Sequence, residues 1–162
     1  MAVDIFLKLD SINGEAQDSD HKNEIDILSW SWGMSQSGST HMGSGGGSGK
    51  VSVNDISLTK YLDSSSPTLA LACCNGKHIK SGIITVRKAG ENPVEYLKIE
   101  LTEIIISSIS TGGSGGEDRL TENLSLNFRS FHETYTPQLA DGSKGSPTEA
   151  KWNMATNKEE TG

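Results

Sequence analysis

From "VDIFLKLD" near the start to "TENLSLNF" at residues 121–128, apolar and polar residues alternate with a period of two. That is the repeat of a strand with one buried and one wet face, and it confines the chain to sheets. In the first stretch Val3, Ile5, Leu7 and Leu9 share a face. In "EIDILSWSWG" the expected core face carries Leu28, Trp30 and Trp32, because each indole hides a large apolar area. The opposite face fades from Ile25 and Ile27 to Ser29, Ser31 and Gly33. In "EYLKIELTEIIISSIS" Leu97, Ile99, Leu101, Ile105 and Ile109 share one face, while Tyr96, Lys98, Glu100 and Thr102 share the other until Ile104 and Ile106 turn it apolar too. An apolar second face needs a cover, and a neighbouring subunit is the expected one. Further on, Leu124, Leu126 and Phe128 point inward, and the phase flips near Ser130 to Phe131 and Tyr135.

One segment breaks the period. "SSSPTLALACCNGKH" predicts a short helix with Ser66 as N-cap, Pro67 in the first turn and Asn75-Gly76 as a left-handed stop. Two or three turns do not persist without packing, so this helix must plug or flank the sheets. "KVSVNDISLTKYL" resumes as strand with a phase shift at Asn54-Asp55, and "KWNMAT" is a short last strand. About eight strands and one helix predict a mainly β protein, an antiparallel β-barrel with long loops, and the length suits a single domain over residues 1–162. Residues 33–50, with seven glycines and five serines, read as a flexible loop that needs an external purpose. The polar tail from about residue 156 to 162 is expected to fray.

The formal charge is −7, and the 14 Lys and Arg are scattered rather than striped, which excludes a phosphate-backbone footprint and so a nucleic-acid partner. No segment approaches the roughly 20 apolar residues of a membrane span, so no membrane insertion is expected. The start lacks the basic patch and apolar run of a signal peptide, so synthesis in the cytoplasm and, if any, leaderless export are expected. Cys73 and Cys74 read as buried small apolar residues. "SGGGSGKV" fails the phosphate-loop pattern, having Ser44 for its first glycine and Val51 for the magnesium-binding hydroxyl. "TGGSGGED" has no lysine and lies between two strands, so it reads as a turn with positive-φ glycines in which Glu117, Asp118 and Arg119 make turn and inter-subunit contacts. His21, His41, His78 and His132 never fall at metal-ligand spacing and read as surface or turn residues. Glu100 and Glu103 lie on opposite faces of a strand, and no nucleophile, base and oxyanion set can be assembled, so neither enzyme nor cofactor is expected.

The blocks "EIDILSWSWGMSQSGSTHMGSGGGSGK", "STGGSGGEDRLTENLSLNF" and the following "YTPQLADG" closely resemble the Hcp family, the haemolysin-coregulated proteins, over about residues 1–155. The resemblance implies a non-enzymatic component of the type VI secretion system: a β-barrel with one small helix, assembled as hexameric rings that stack into a tube. The implied partners are further copies of the chain, the spike, the sheath and baseplate, and small effector proteins in the lumen. The implied route runs from the bacterial cytoplasm to the extracellular space or a target cell without a cleaved signal peptide. It implies that the loop with Gly38, His41, Gly45, Gly46, Gly47 and Lys50 reaches toward an adjacent subunit or ring. It also suits Ile104 and Ile106 to a subunit contact, and makes Ser29 and Ser31 candidates for the lumen wall and effector contact. A different class remains open from the residues themselves: a monomeric lectin-like or adhesin-like barrel whose glycine loop holds a small ligand. Such a monomer predicts a solution mass of 17.3 kDa and burial of Ile104 and Ile106 by its own chain.

Overall fold

The computed structural model describes residues 3–37, 50–90 and 93–160. Its elements are β1 (Val3–Leu9), β2 (Ile25–Ile27), β3 (Ser29–Ser31), β4 (Met34–Ser35), β5 (Ser52–Val53), β6 (Ile56–Tyr61), α1 (Ser66–Asn75), β7 (Ile79–Lys88), β8 (Glu95–Gly112), β9 (Thr121–Asn127), β10 (Ser130–Tyr135), β11 (Thr148–Asn153) and β12 (Lys158–Glu159). The fold is mainly β, as expected, and every pairing is antiparallel. One sheet runs β12-β11-β10-β8-β7-β1-β2, and the second runs β3-β6-β9-β8.

The two sheets share β8. On the opposite side the chain passes directly from β2 to β3 through Leu28, whose amide donates to the Thr59 carbonyl at 2.7 Å. The result is a barrel left open rather than one closed hydrogen-bonded cylinder. Its interior is filled by Ile5, Leu7 and Leu9 from β1, Ile56 and Leu58 from β6, Ile84 and Val86 from β7, and Leu124 and Leu126 from β9. Burying each such side chain contributes about 1.5–3 kcal/mol. Leu69 and Ala72 of α1 close the core from the side.

Both corners reset the alternation, which corrects the straight-strand reading. In β8, residues up to Ile104 pair with β7 and β10, and from Ile105 onward the strand pairs with β9. Glu103 sits at the turn between these halves with φ 51°, a conformation uncommon outside glycine. The inward set therefore changes from Ile99 and Leu101 to Ile104 and Ile106, which are 0% and 2% exposed. The cover expected from a neighbour for Ile104 and Ile106 is supplied by the chain's own core, so they are not surface contact residues. A bulge between Ile106 and Ser108 resets the phase again, leaving Ile109 half-buried. At the other corner Ile25 and Ile27 are buried while Leu28 is exposed, so Leu28 does not share a core face with Trp30 and Trp32, whose rings pack half-buried against the core.

Smaller departures have local causes. The N-cap of α1 is Ser65 rather than Ser66, whereas Gly76 ends the helix with φ 65° as expected. Cys74 is exposed and Cys73 half-buried, because neighbouring helix positions diverge by about 100°. Val3 and Tyr135, near the outer ends of their strands, are exposed. The base of the glycine loop is a two-stranded ribbon, β4 with β5, and residues 38–49, including Gly38, His41, Gly45, Gly46 and Gly47, lie outside the described residues. The tail is not frayed throughout: Asn157 turns the chain with φ 54°, and Lys158–Glu159 pairs with Trp152–Asn153.

Candidate interaction face

The strands of the second sheet carry apolar residues inward, so by the pleat their other positions point outward. Registration aligns those outward positions into two rows. Ser31 lies opposite Ser57, Ser57 opposite Ser125, and Ser125 opposite Ser108. In the adjacent row Ser29 lies opposite Thr59, Thr59 opposite Asn123, and Asn123 opposite Ser110. Eight side chains from four strands thus present hydroxyls and one amide, and none carries a formal charge or a large apolar group.

Ser29 and Ser31, singled out from the sequence, fall together on this face and are both exposed. They make no side-chain hydrogen bond within the described residues, so their hydroxyls are available to water or a ligand. The partners are more tied. Thr59 Oγ1 donates to Asn123 Oδ1 at 2.8 Å, and Ser125 Oγ lies 2.7 Å from Ser107 Oγ and 2.5 Å from Ser108 Oγ. At one end Asp55 accepts from Ser107 at 2.6 Å and from Asn127 Nδ2 at 2.8 Å, which occupies its carboxylate. At the other end Tyr61, two residues beyond Thr59 and on the same side, carries the Arg119 guanidinium over its ring at 3.9 Å.

Of the acidic turn, Arg119 is therefore the residue that borders this face. Glu117, Asp118 and Arg119 are all exposed, and the Glu117 amide donates to the Ser114 carbonyl at 3.1 Å. The turn glycines do not take positive φ: the described glycines that do are Gly76, Gly90 and Gly142. Gly113 is instead a close approach, since a Cβ there would run into the Leu120 side chain. Lys50, at the far end of the glycine loop, is exposed.

Two charged clusters were not expected. On the inner side of the same sheet Lys60 lies opposite Glu122, with Nζ 2.8 Å from Oε2 and exposures of 0% and 2%. Lys60 also donates to the Tyr61 carbonyl, Asp63 Oδ1 and Ser66 Oγ, while Ser66 donates to Glu122 at 2.8 Å. This network ties the start of α1 to β6 and β9, and explains why Ser66 faces inward instead of capping. The signal was in the phase, because Lys60 follows Ile56 and Leu58 at the same period and Glu122 precedes Leu124. The second cluster surrounds His21, which is buried rather than a surface residue. Groups of three or more His, Cys, Asp or Glu able to hold a metal ion are absent among the described residues.

Comparison with known proteins covers nearly the whole chain. The family described as "Type VI secretion system effector, Hcp" matches residues 6–135. The chain is 59% identical over 159 residues to protein hcp1 of Pseudomonas aeruginosa, covering 97% of this chain and 98% of that protein. Among solved structures, Hcp1 from Salmonella typhimurium superposes with a TM-score of 0.81 at 41% identity, covering 98% of this chain and 99% of that one. A structure described as a type six secretion system protein superposes at 0.92 with 27% identity, covering 98% of this chain and 100% of its own.

Proposed function

Because the chain belongs to the Hcp family of type VI secretion system proteins, we propose that it is a tube subunit that assembles head to tail into hexameric rings, stacks, and carries effectors past the polar face. The observation that carries the cargo part is the face itself. Eight small uncharged polar side chains on four registered strands offer hydrogen bonds without an apolar anchor or a fixed charge. A lumen wall that must hold different clients and then release them needs many weak, water-exchangeable contacts, and this face supplies that chemistry.

Ring closure needs two different complementary surfaces on each subunit, and repetition without a closing rotation extends rings into a filament. The β4–β5 ribbon and the exposed Lys50, Glu117, Asp118 and Arg119 are the surfaces assigned to neighbours, together with the loop residues Gly38, His41, Gly45, Gly46 and Gly47. Spike, sheath and baseplate meet the assembled tube rather than the single subunit in this reading, and the tube passes from the bacterial cytoplasm to the outside. Among the described residues no helix is long and apolar enough to cross a membrane. The role is mechanical and carrier-like, with no catalytic step assigned.

Burial of Ile104 and Ile106 within the chain is the observation that favours the second reading, a monomeric binding barrel. Light scattering separates the two. A mass of six chains of 17.3 kDa, with ring images by electron microscopy, supports the tube subunit, and a 17.3 kDa species at high concentration refutes self-assembly of the purified chain. Ser31→Gln then tests the face: rings form as before and co-purifying effector falls, whereas unchanged effector recovery removes the cargo role from this row.

A further inference from the structure

Between β1 and β2 the chain runs through residues 10–24 as a strap. It is pinned by backbone bonds from Gly14 to Asn23 at 2.8 Å, from Asn23 to Ala16 at 2.8 Å and from Ala16 to Glu24 at 3.0 Å. Its own Ile12 and Ala16 are buried, and Gly14 lies so close to Glu24 and Ile25 that a Cβ would meet their backbone. The strap covers the outer face of β1, where Phe6 is 4% exposed although its neighbours Ile5 and Leu7 fill the core on the other side.

Two basic side chains hold the strap over Phe6. Arg87 of β7 lies 5.0 Å from the Phe6 ring centroid and bonds Asp18 of the strap, with Asp4 of β1 and Asp20 of the strap at 3.5 and 3.7 Å. Its charge is permanent at any ordinary pH. The other is His21, which stacks on the Phe6 ring at 4.4 Å with a 12° interplanar angle. Its Nδ1 lies 2.9 Å from Glu24 Oε2 and its Nε2 lies 2.6 Å from Glu95 Oε1, on β8. A neutral imidazole has one N–H, so it can donate to one of these carboxylates and must turn a lone pair toward the other; only the imidazolium donates to both.

We propose that His21 is a pH-sensitive latch that fastens the strap to β8 while protonated and frees that end when it loses its proton. The groups facing it are Glu24 from the strap, Glu95 from β8, Phe6 from β1 and, at longer range, Asp18 beside Arg87; Asp26 of β2 lies opposite Phe6 in the register. Burial works against the charged ring, but the hydrogen bonds to Glu95 and Glu24 and their negative charge outweigh it, and His21 is held above the ordinary value of 6.5. A raised histidine contributes its stabilisation in full below 6.5, and that contribution is lost as pH rises through the folded-state value. Glu24 stays bonded through the remaining N–H because its side chain is 13% exposed, while Glu95 at 39% has room to swing into water. The strap therefore loosens at its β8 contact, while Arg87 keeps the neighbouring Asp18 and Asp20 in place.

The test follows the His21 ring by NMR and strap amides by hydrogen exchange on the intact protein between pH 6 and 9, corrected for intrinsic exchange. Expected is a midpoint above 6.5 for His21, a roughly three- to tenfold loss of protection at strap amides through that midpoint, and no change in β9. His21→Gln, which keeps one donor, flattens the pH response, and Glu95→Gln lowers the His21 midpoint without unfolding the chain. A His21 midpoint at or below 6.5, strap protection independent of pH, or an unchanged response in His21→Gln overturns the proposal.

Discussion

The inner and outer faces of β6 and β9 are built from the same two strands and have opposite chemistry. Inward, Ile56, Leu58, Leu124 and Leu126 are sealed from water, and the row ends in the Lys60–Glu122 pair with every polar atom engaged. Outward, Ser57, Thr59, Asn123 and Ser125 sit among uncharged neighbours and face water. The difference teaches that in this sheet charge is used where it is hidden and left out where contact is on offer. A buried ion pair gives little net stability over an apolar pair of similar shape, but breaking it is expensive. An open hydroxyl row can change with little effect on the fold.

The comparison breaks most sharply at Glu122. Glu122→Ala takes one of two carboxylates from the buried Lys60, leaving it Asp63 at 3.1 Å, and is expected to lower stability by about 3–5 kcal/mol in urea denaturation, whereas the Lys60→Met, Glu122→Leu double variant recovers most of the loss. A loss below about 1 kcal/mol for the single variant would show that Asp63 or water satisfies Lys60 without Glu122, and that the pair does not hold the inner face. Gly82→Ala is next. A Cβ at Gly82 meets Ile104 and Leu9 side chains at 2.7 and 2.9 Å, so overpacking of about 1–3 kcal/mol is expected, read as a fall in melting temperature. Glu103→Gly sharpens the picture at the corner between the sheets, relieving the φ of 51° for a gain of about 0.5–1 kcal/mol. The smallest effect belongs to the outer face: Ser57→Ala and Ser31→Gln each shift stability by no more than about 0.5 kcal/mol while acting on cargo, and a larger shift in either would mean that the row is structural.

Much of this was legible from residue order. Ile5, Leu7 and Leu9, then Leu124, Leu126 and Phe128, were placed inward by alternation, and Ser29 and Ser31 were placed outward together. The errors gather where alternation loses its premise. A period of two assumes a straight strand in one sheet, and at Leu28 and Glu103 the chain leaves one sheet for the other and the inward phase resets. Ile104 and Ile106 thus looked like a second apolar face when they continue the first. His21 was misjudged by residue type and Lys60 and Glu122 drew no reading at all, since their burial depends on partners up to 74 residues away. The rows that Ser57, Ser108 and Ser125 complete depend on long-range register, which local order does not carry.

The sharing of β8 has a consequence for how the chain reaches this state. β1 with β2 and β7 with β8 join near neighbours, but β6 must wait for β9 across α1 and the whole β7–β8 hairpin. On a ribosome adding roughly 5–20 residues per second, the second sheet lacks its central strand until residue 127 has emerged, several seconds after β6. For that interval Lys60 has no Glu122 and β6 presents an open edge, so the second sheet is the part of the subunit that waits on one distant strand.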